Sequence, residues 1–248
     1  MTTPTTPRSD PPPTQRPAPT TPVTSTPDRV RRAQRTAAWA GPLCVVAGVG
    51  TFAPEPPEAG TDPAGIRSHV EQQLDVLAVN AVCALVVAAA LLVLVSALAS
   101  LIESHRPDSL AGRYVTGVGV LSAAQLVVFA SVYGVWVFVD PVASLDDATV
   151  VTLFSAGAFG DSFGSLTLVL TCSMVALVSW SALRYRFLSR PVAVFGLLVA
   201  TGEIVSLGQL IVANPVSSTG MYVAIFGWFL WPAVVGLDLG FRLLRGRR

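Results

Sequence analysis

The sequence predicts an all-α membrane protein: a bundle of six transmembrane helices behind a disordered, Pro/Thr-rich N-terminal tail. Three observations predict it. Of 248 residues, 52% are hydrophobic and only 12% charged, where an average soluble domain has about 25% charged residues. So few ions cannot cover a water-facing surface. Six apolar runs follow one another at 36–53, 76–102, 114–139, 165–183, 191–213 and 221–244, each close to the roughly 20 residues a helix needs to cross a hydrocarbon layer. Charge is also segregated. Of the 16 basic residues, all arginine, 15 lie in the N-terminal segment, in alternate loops or at the C-terminal end.

Residues 1–34 form the expected tail. Their first part, MTTPTTPRSDPPPTQRPAPTTPVTSTPD, has almost no large apolar residue, so it cannot bury enough surface to offset chain entropy. The membrane domain takes residues 35–248. Its first span is short and carries Pro42. Basic RVRRAQR before it and TFA at its end also fit a signal peptide cleaved after Ala53. The long preceding tail and the poor mature start APEPPE favour an uncleaved anchor.

The long runs are rich in Val, Leu and Ala without period-2 alternation, which argues against a membrane β-barrel. The loop at 54–75 predicts a short helix before the second span, with Asp62 and Pro63 at its start. The loop at 140–164 contains the apolar patch VVTLF, expected as an interfacial helix or an extension of the fourth span, capped by Asp146 or Asp147.

Arginines 8, 16, 29, 31, 32 and 35 precede the first span, and Arg106 and Arg113 join the second to the third. Arg184, Arg186 and Arg190 join the fourth to the fifth, and Arg242, Arg245, Arg247 and Arg248 close the chain. The opposite loops hold Arg67 among Glu55, Glu58, Asp62, Glu71, Asp75, Asp140, Asp146 and Asp147. The positive-inside rule then places both termini in the cytoplasm of a multi-pass inner (plasma) membrane protein. Trp39 and Trp180 near the inner boundary and Trp136 near the outer one are expected as interfacial anchors.

Several chemistries are excluded or unsupported. The absence of lysine excludes a Schiff-base mechanism. A net charge of +1 does not point to nucleic acid. Cys44, Cys83 and Cys172 lie in apolar runs without paired metal spacing, and the only histidines, His69 and His105, fall in loops on opposite sides. No metal or other cofactor is expected. GVGTFA at 48–53 matches a dinucleotide fingerprint in letters, but PEPPE follows where that fingerprint needs a helix. Dense small residues such as Gly117, Gly119, Gly196, Ala200 and Gly202 point instead to close helix packing.

Three carboxylates fall in or beside apolar runs. Asp161, in GDSFGS, is expected to cap the fourth helix or to face an outward pocket. Asp238 has Arg242 four residues on, a spacing that brings the two side chains together. Glu203 has no arginine within one turn and lies twelve residues from one end of its run and ten from the other. An ionised group at such depth is costly, and it is a functional-site hypothesis by default. Gly196, Ala200, Glu203 and Leu207 share one helical stripe, so Glu203 is expected to face the bundle interior. Gln125 in the third span is its candidate partner, with Ser206 and Ser122 able to join. Two readings stand: a ligand or proton site formed by Glu203, Gln125 and Ser206, or a Glu–Gln hydrogen bond that holds helix register.

The stretch FGDSFGSLTLVLTCSMVALVSWSALRYRFLSRPVAVFGLLVATGEI, with Phe229, Leu230 and Trp231 beyond it, resembles the last three spans of an uncharacterised family of six-helix bacterial membrane proteins, a domain of unknown function. The resemblance covers the C-terminal half and implies the six-helix architecture without an activity. The expected function is therefore that of a non-enzymatic small transporter, sensor or partner-binding membrane subunit. Its partners would be the lipid bilayer and a second copy or another membrane protein. The alternative is a small intramembrane enzyme acting on a lipid-like or isoprenoid substrate, with Glu203 or Asp161 as general acid.

Overall fold

The computed structural model describes residues 26–52, 61–107, 109–139, 141–206 and 215–245, excepting the side chains of 26, 158–168, 215–218 and 221. Every regular element among them is helical: α1 (Thr26–Val49), α2 (Pro63–His105), α3 (Leu110–Phe138), a 3-10 turn (Val142–Ser144), α4 (Asp147–Tyr185), α5 (Arg190–Ser206) and α6 (Pro215–Arg245).

Local chemistry sets the helix ends. Asp62 caps α2 by accepting from the Gly65 N–H at 2.8 Å, with Pro63 at the first helical position. Pro107 follows one residue beyond the C-cap Arg106. Ser109 Oγ accepts from the Ala111 N–H at 3.2 Å and opens α3. Asp146 opens α4, its two oxygens accepting from the Thr149 N–H at 2.9 Å and the Thr149 hydroxyl at 2.8 Å. Those hydrogen bonds hold the Asp146 carboxyl below its ordinary range.

The helices pack in sequence, α1 on α2, α2 on α3, α3 on α4, α4 on α5 and α5 on α6, and α6 closes back on α1. Neighbours run antiparallel. Arg29 meets Glu103 while Gly50 faces Cys83, and Gly41 faces Pro232 while Gly48 faces Phe229. The main core lies within this ring and includes Leu91, Leu94, Leu98, Met174, Trp231 and Leu239. A smaller core of Ile66, Val70, Leu77, Trp136, Val142 and Val150 sits at the other end. It exists because α2, with 43 residues, is about 65 Å long by helical rise, well beyond a single apolar layer.

Glycines bring two helices into backbone contact at one crossing. A Cβ on Gly41 would lie 2.9 Å from the Pro232 carbonyl carbon, and one on Gly236 would lie 2.7 Å from Pro42 Cδ. Small residues thus supply the close approach that stands in for a hydrophobic drive within lipid. Val79, Val82, Leu85, Leu198, Ile204 and Phe226 face outward and exposed, a surface suited to an apolar solvent rather than to water.

The sequence expectations need four corrections. α1 begins at Thr26, so 26–34 are helical rather than tail; its Asp28 and four arginines lie on exposed or half-buried positions while Ala33 and Ala37 are buried. The six-span count is met only in part. Among the described residues α2, α3 and Tyr222–Arg245 of α6 are long and apolar enough to cross a membrane. α1 spends its first turns on charge, the described apolar length of α4 is Val169–Tyr185, and α5 is described over 17 residues. The separate short helix at the start of the second span is continuous with α2. Trp136 is buried in the smaller core instead of sitting at an exposed boundary, whereas Trp39 and Trp180 are exposed.

Candidate functional site

α5 carries the expected stripe. Gly196, Ala200 and Glu203 are all buried, and Glu203 retains only 2% of its accessible surface. Leu207, the next position on the stripe, lies outside the described residues. The stripe is buried because α4 and α6 close over it. A Cβ on Gly196 would collide with Ser179 Oγ of α4 and come within 2.6 Å of Trp231 Nε1 of α6. Glycine at 196 therefore admits two polar side chains that a larger residue would displace.

Both carboxylate oxygens of Glu203 are buried and have no hydrogen-bond partner among the described residues. The Glu203–Gln125 hydrogen bond expected as a register pin is absent. The reason is topological: Gln125 is on α3, which packs on α2 and α4, whereas α5 packs on α4 and α6. Gln125 is half-buried and has an interaction of its own. Ser206 bonds to the backbone, its hydroxyl donating to the Glu203 carbonyl oxygen at 2.7 Å, not to the carboxylate. Ser122 donates to the Val118 carbonyl at 3.0 Å and bonds with Thr171 Oγ1 of α4 at 3.0 Å. The structure thus disperses the expected partners, and among the described residues none of them reaches the carboxyl.

Asp161 falls inside α4, not at its start; Asp146 holds the cap because the helix begins some five turns earlier than the apolar run. The Asp161 side chain lies outside the described residues. Asp238 behaves as its spacing implied, with Arg242 Nε donating to its Oδ2 at 3.2 Å. It does more than that. The Ser189 N–H at the start of α5 donates to the same oxygen at 2.8 Å, and Arg242 Nη1 donates to the Arg186 carbonyl at 3.0 Å. Arg186 ends α4 with φ 59°, left-handed for a residue with a Cβ. Asp238 and Arg242 together fasten the α4–α5 turn to α6.

Sequence reading passed over three further groups. Asn80 on α2 is fully buried and both its amide atoms lack partners; Ser179 Oγ and Trp231 Nε1 are likewise buried and unpartnered. Asn80 was detectable as an amide inside the apolar run VLAVNAVCAL. Ser179 and Trp231 were not, because only the meeting of α4, α5 and α6 brings them together.

No protein-family model matches this chain, and neither a curated protein nor a solved structure is detectably similar to it. The site must therefore be interpreted from its own chemistry. A buried carboxyl whose two oxygens have no donor among the described residues can take a proton, a small cation or a hydrogen-bond donor.

Proposed function

We propose that this chain is a six-span integral membrane protein with cytoplasmic termini, and that it works as a small transporter, sensor or partner-binding subunit with Glu203 as its binding group. One observation carries the reading: Glu203 is almost fully buried and neither of its oxygens has a hydrogen-bond donor among the described residues. A buried polar group is normally satisfied, and a carboxylate inside a membrane without a counter-charge costs several kcal/mol, at least about 3. A proton or a cationic ligand removes that cost.

Antiparallel packing supports six spans. The start of α1, the end of α2, the α4–α5 turn and the end of α6 gather at one end: Arg29 pairs with Glu103, His105 stacks on Tyr185, and Asp238 meets Ser189. Those segments carry the arginines. Arg67 lies with the smaller core at the other end, bonded to Asp147 and the Leu145 carbonyl. Such a separation is what the positive-inside rule acts on. The enzymatic alternative requires a cavity that brings a lipid-like substrate to Glu203. Among the described residues, the grooves between α1 and α2, α1 and α6, and α5 and α6 are lined by residues other than Glu203.

The test is thermal stability in neutral detergent across pH and across monovalent cations, for wild type and Glu203→Leu. A binding role for Glu203 is expected to make wild-type stability vary with proton or cation concentration, and Glu203→Leu to lose that variation. Identical profiles would remove Glu203 from the function. Flux into liposomes then separates a transporter from a sensor or subunit.

A further inference from the structure

At the arginine-rich end, α1 and α2 part to leave a groove of about 530 Å³ lined by Arg29, Arg32, Ala33 and Thr36 on one side and by Leu92, Val93, Ser96, Ala97 and Ser100 on the other. It exists because Ala33, Ser96, Ala97 and Ser100 are too small to fill the space between the helices. Its two ends differ in chemistry. Arg29 lies level with Glu103, near the end of α2, whereas Leu92 and Val93 lie about 12 Å deeper by helical rise from Ser100. The groove thus runs from a cationic mouth to an apolar floor, with hydroxyls between.

We infer that this groove binds one anionic phospholipid, its phosphate at Arg29 and Arg32 and the upper part of an acyl chain against Leu92 and Val93. Charge complementarity identifies the occupant. Arg29 is held at the mouth by Glu103 at 3.3 Å, with its side chain more than half exposed, so part of its donor fork stays open. Arg32 makes no ion pair among the described residues. The four arginines at this end of α1, against Asp28 and Glu103, leave an excess positive charge that fits a phosphodiester. A choline headgroup carries its own cation and would set it beside Arg32. Basic recesses between membrane helices on the cytoplasmic side are suited to anionic headgroups, so the inference rests on the membrane topology proposed above.

The full chain, purified in neutral detergent, is titrated with phosphatidylglycerol or with phosphatidylcholine of identical acyl chains, and bound lipid is counted by native mass spectrometry. Wild type is expected to retain one phosphatidylglycerol in preference to phosphatidylcholine. Arg29→Gln/Arg32→Gln is expected to lose that preference, by roughly fivefold for each arginine, while Arg32→Lys keeps most of it. Ser96→Phe fills the deeper half and should weaken phosphatidylglycerol without altering the arginines. Equal retention of the two lipids by wild type would overturn the inference. So would an unchanged preference in the double variant, an equal loss in Arg245→Gln, or displacement of the lipid by millimolar inorganic phosphate. Alkaline carbonate extraction of cell membranes tests the topology separately. Release of wild-type protein sinks the membrane reading, whereas retention without a lipid preference sinks only the lipid site.

Discussion

Asp238 and Glu203 are carboxylates on adjacent helices, both in apolar sequence, and they meet opposite fates. Asp238 accepts from Arg242 and from the Ser189 N–H, and joins α6 to the start of α5 at the arginine-rich end. Glu203 is more deeply buried and accepts from nothing. The difference teaches that apolar sequence around an acid does not decide its role. Asp238 has a cation one turn away on its own helix and a helix start opposite, so its cost of burial is offset locally. Glu203 has no arginine within one turn of its own helix and no donor among the described residues, so nothing described offsets its burial. The same contrast separates a fastener from the proposed binding group.

Four measurements, by unfolding or hydrogen exchange in detergent, would break or sharpen it. The largest expected effect is from Asp238→Leu, which strands the Ser189 N–H and the Arg242 guanidinium; a loss of about 3 kcal/mol is expected. A stable Asp238→Leu protein would mean that the two carboxylates are not different in kind. Next, Glu203→Leu replaces an unsatisfied carboxyl with an apolar side chain of similar size, and unfolding should become harder by about 2 kcal/mol in the absence of ligand. A loss there would show that Glu203 has a structural partner.

Smaller is Arg242→Gln. Its side chain is 37% exposed, so solvent screening discounts the ion pair, and about 1 kcal/mol is expected. Hydrogen exchange should quicken around the Arg186 turn, because its left-handed backbone loses the bond from α6. The smallest effect belongs to Asp146, a fully exposed cap whose acidity is raised by the bonds from Thr149. A lowered folded-state pKa contributes stability that is complete above the unfolded pKa and disappears as pH falls through the folded one. Protection of the first turn of α4 should hold from neutrality to about pH 4 and decline below it, and Asp146→Asn should flatten that decline.

Much of the fold was legible in the sequence. Caps at Asp62 and Asp146 act over three residues, and the Asp238–Arg242 pair acts over four, so each was visible in a short window. The stripe of Gly196, Ala200 and Glu203 was legible for the same reason. The candidate site was legible in one residue only. Gln125 failed as a partner because α4 stands between α3 and α5, and Ser206 turned to the backbone of its own helix. Asp161 does not cap because α4 runs unbroken from the Asp146 cap through GDSFGS, which leaves no helix start at 161. Trp136 was taken for a surface anchor because nothing in the chain around it signals the small core that α2, α4 and the 3-10 turn build over it.

By itself the sequence determined the all-helical class, the segregation of arginine to one end, the helix caps and the inward face of α5. These follow from composition and from periodicities of three to seven residues, which act before distant segments meet. Only the tertiary structure decided which buried groups are satisfied. That depends on the order in which helices surround one another, and it is why Asp238 finds donors from another helix while Glu203, Asn80, Ser179 and Trp231 are enclosed without them.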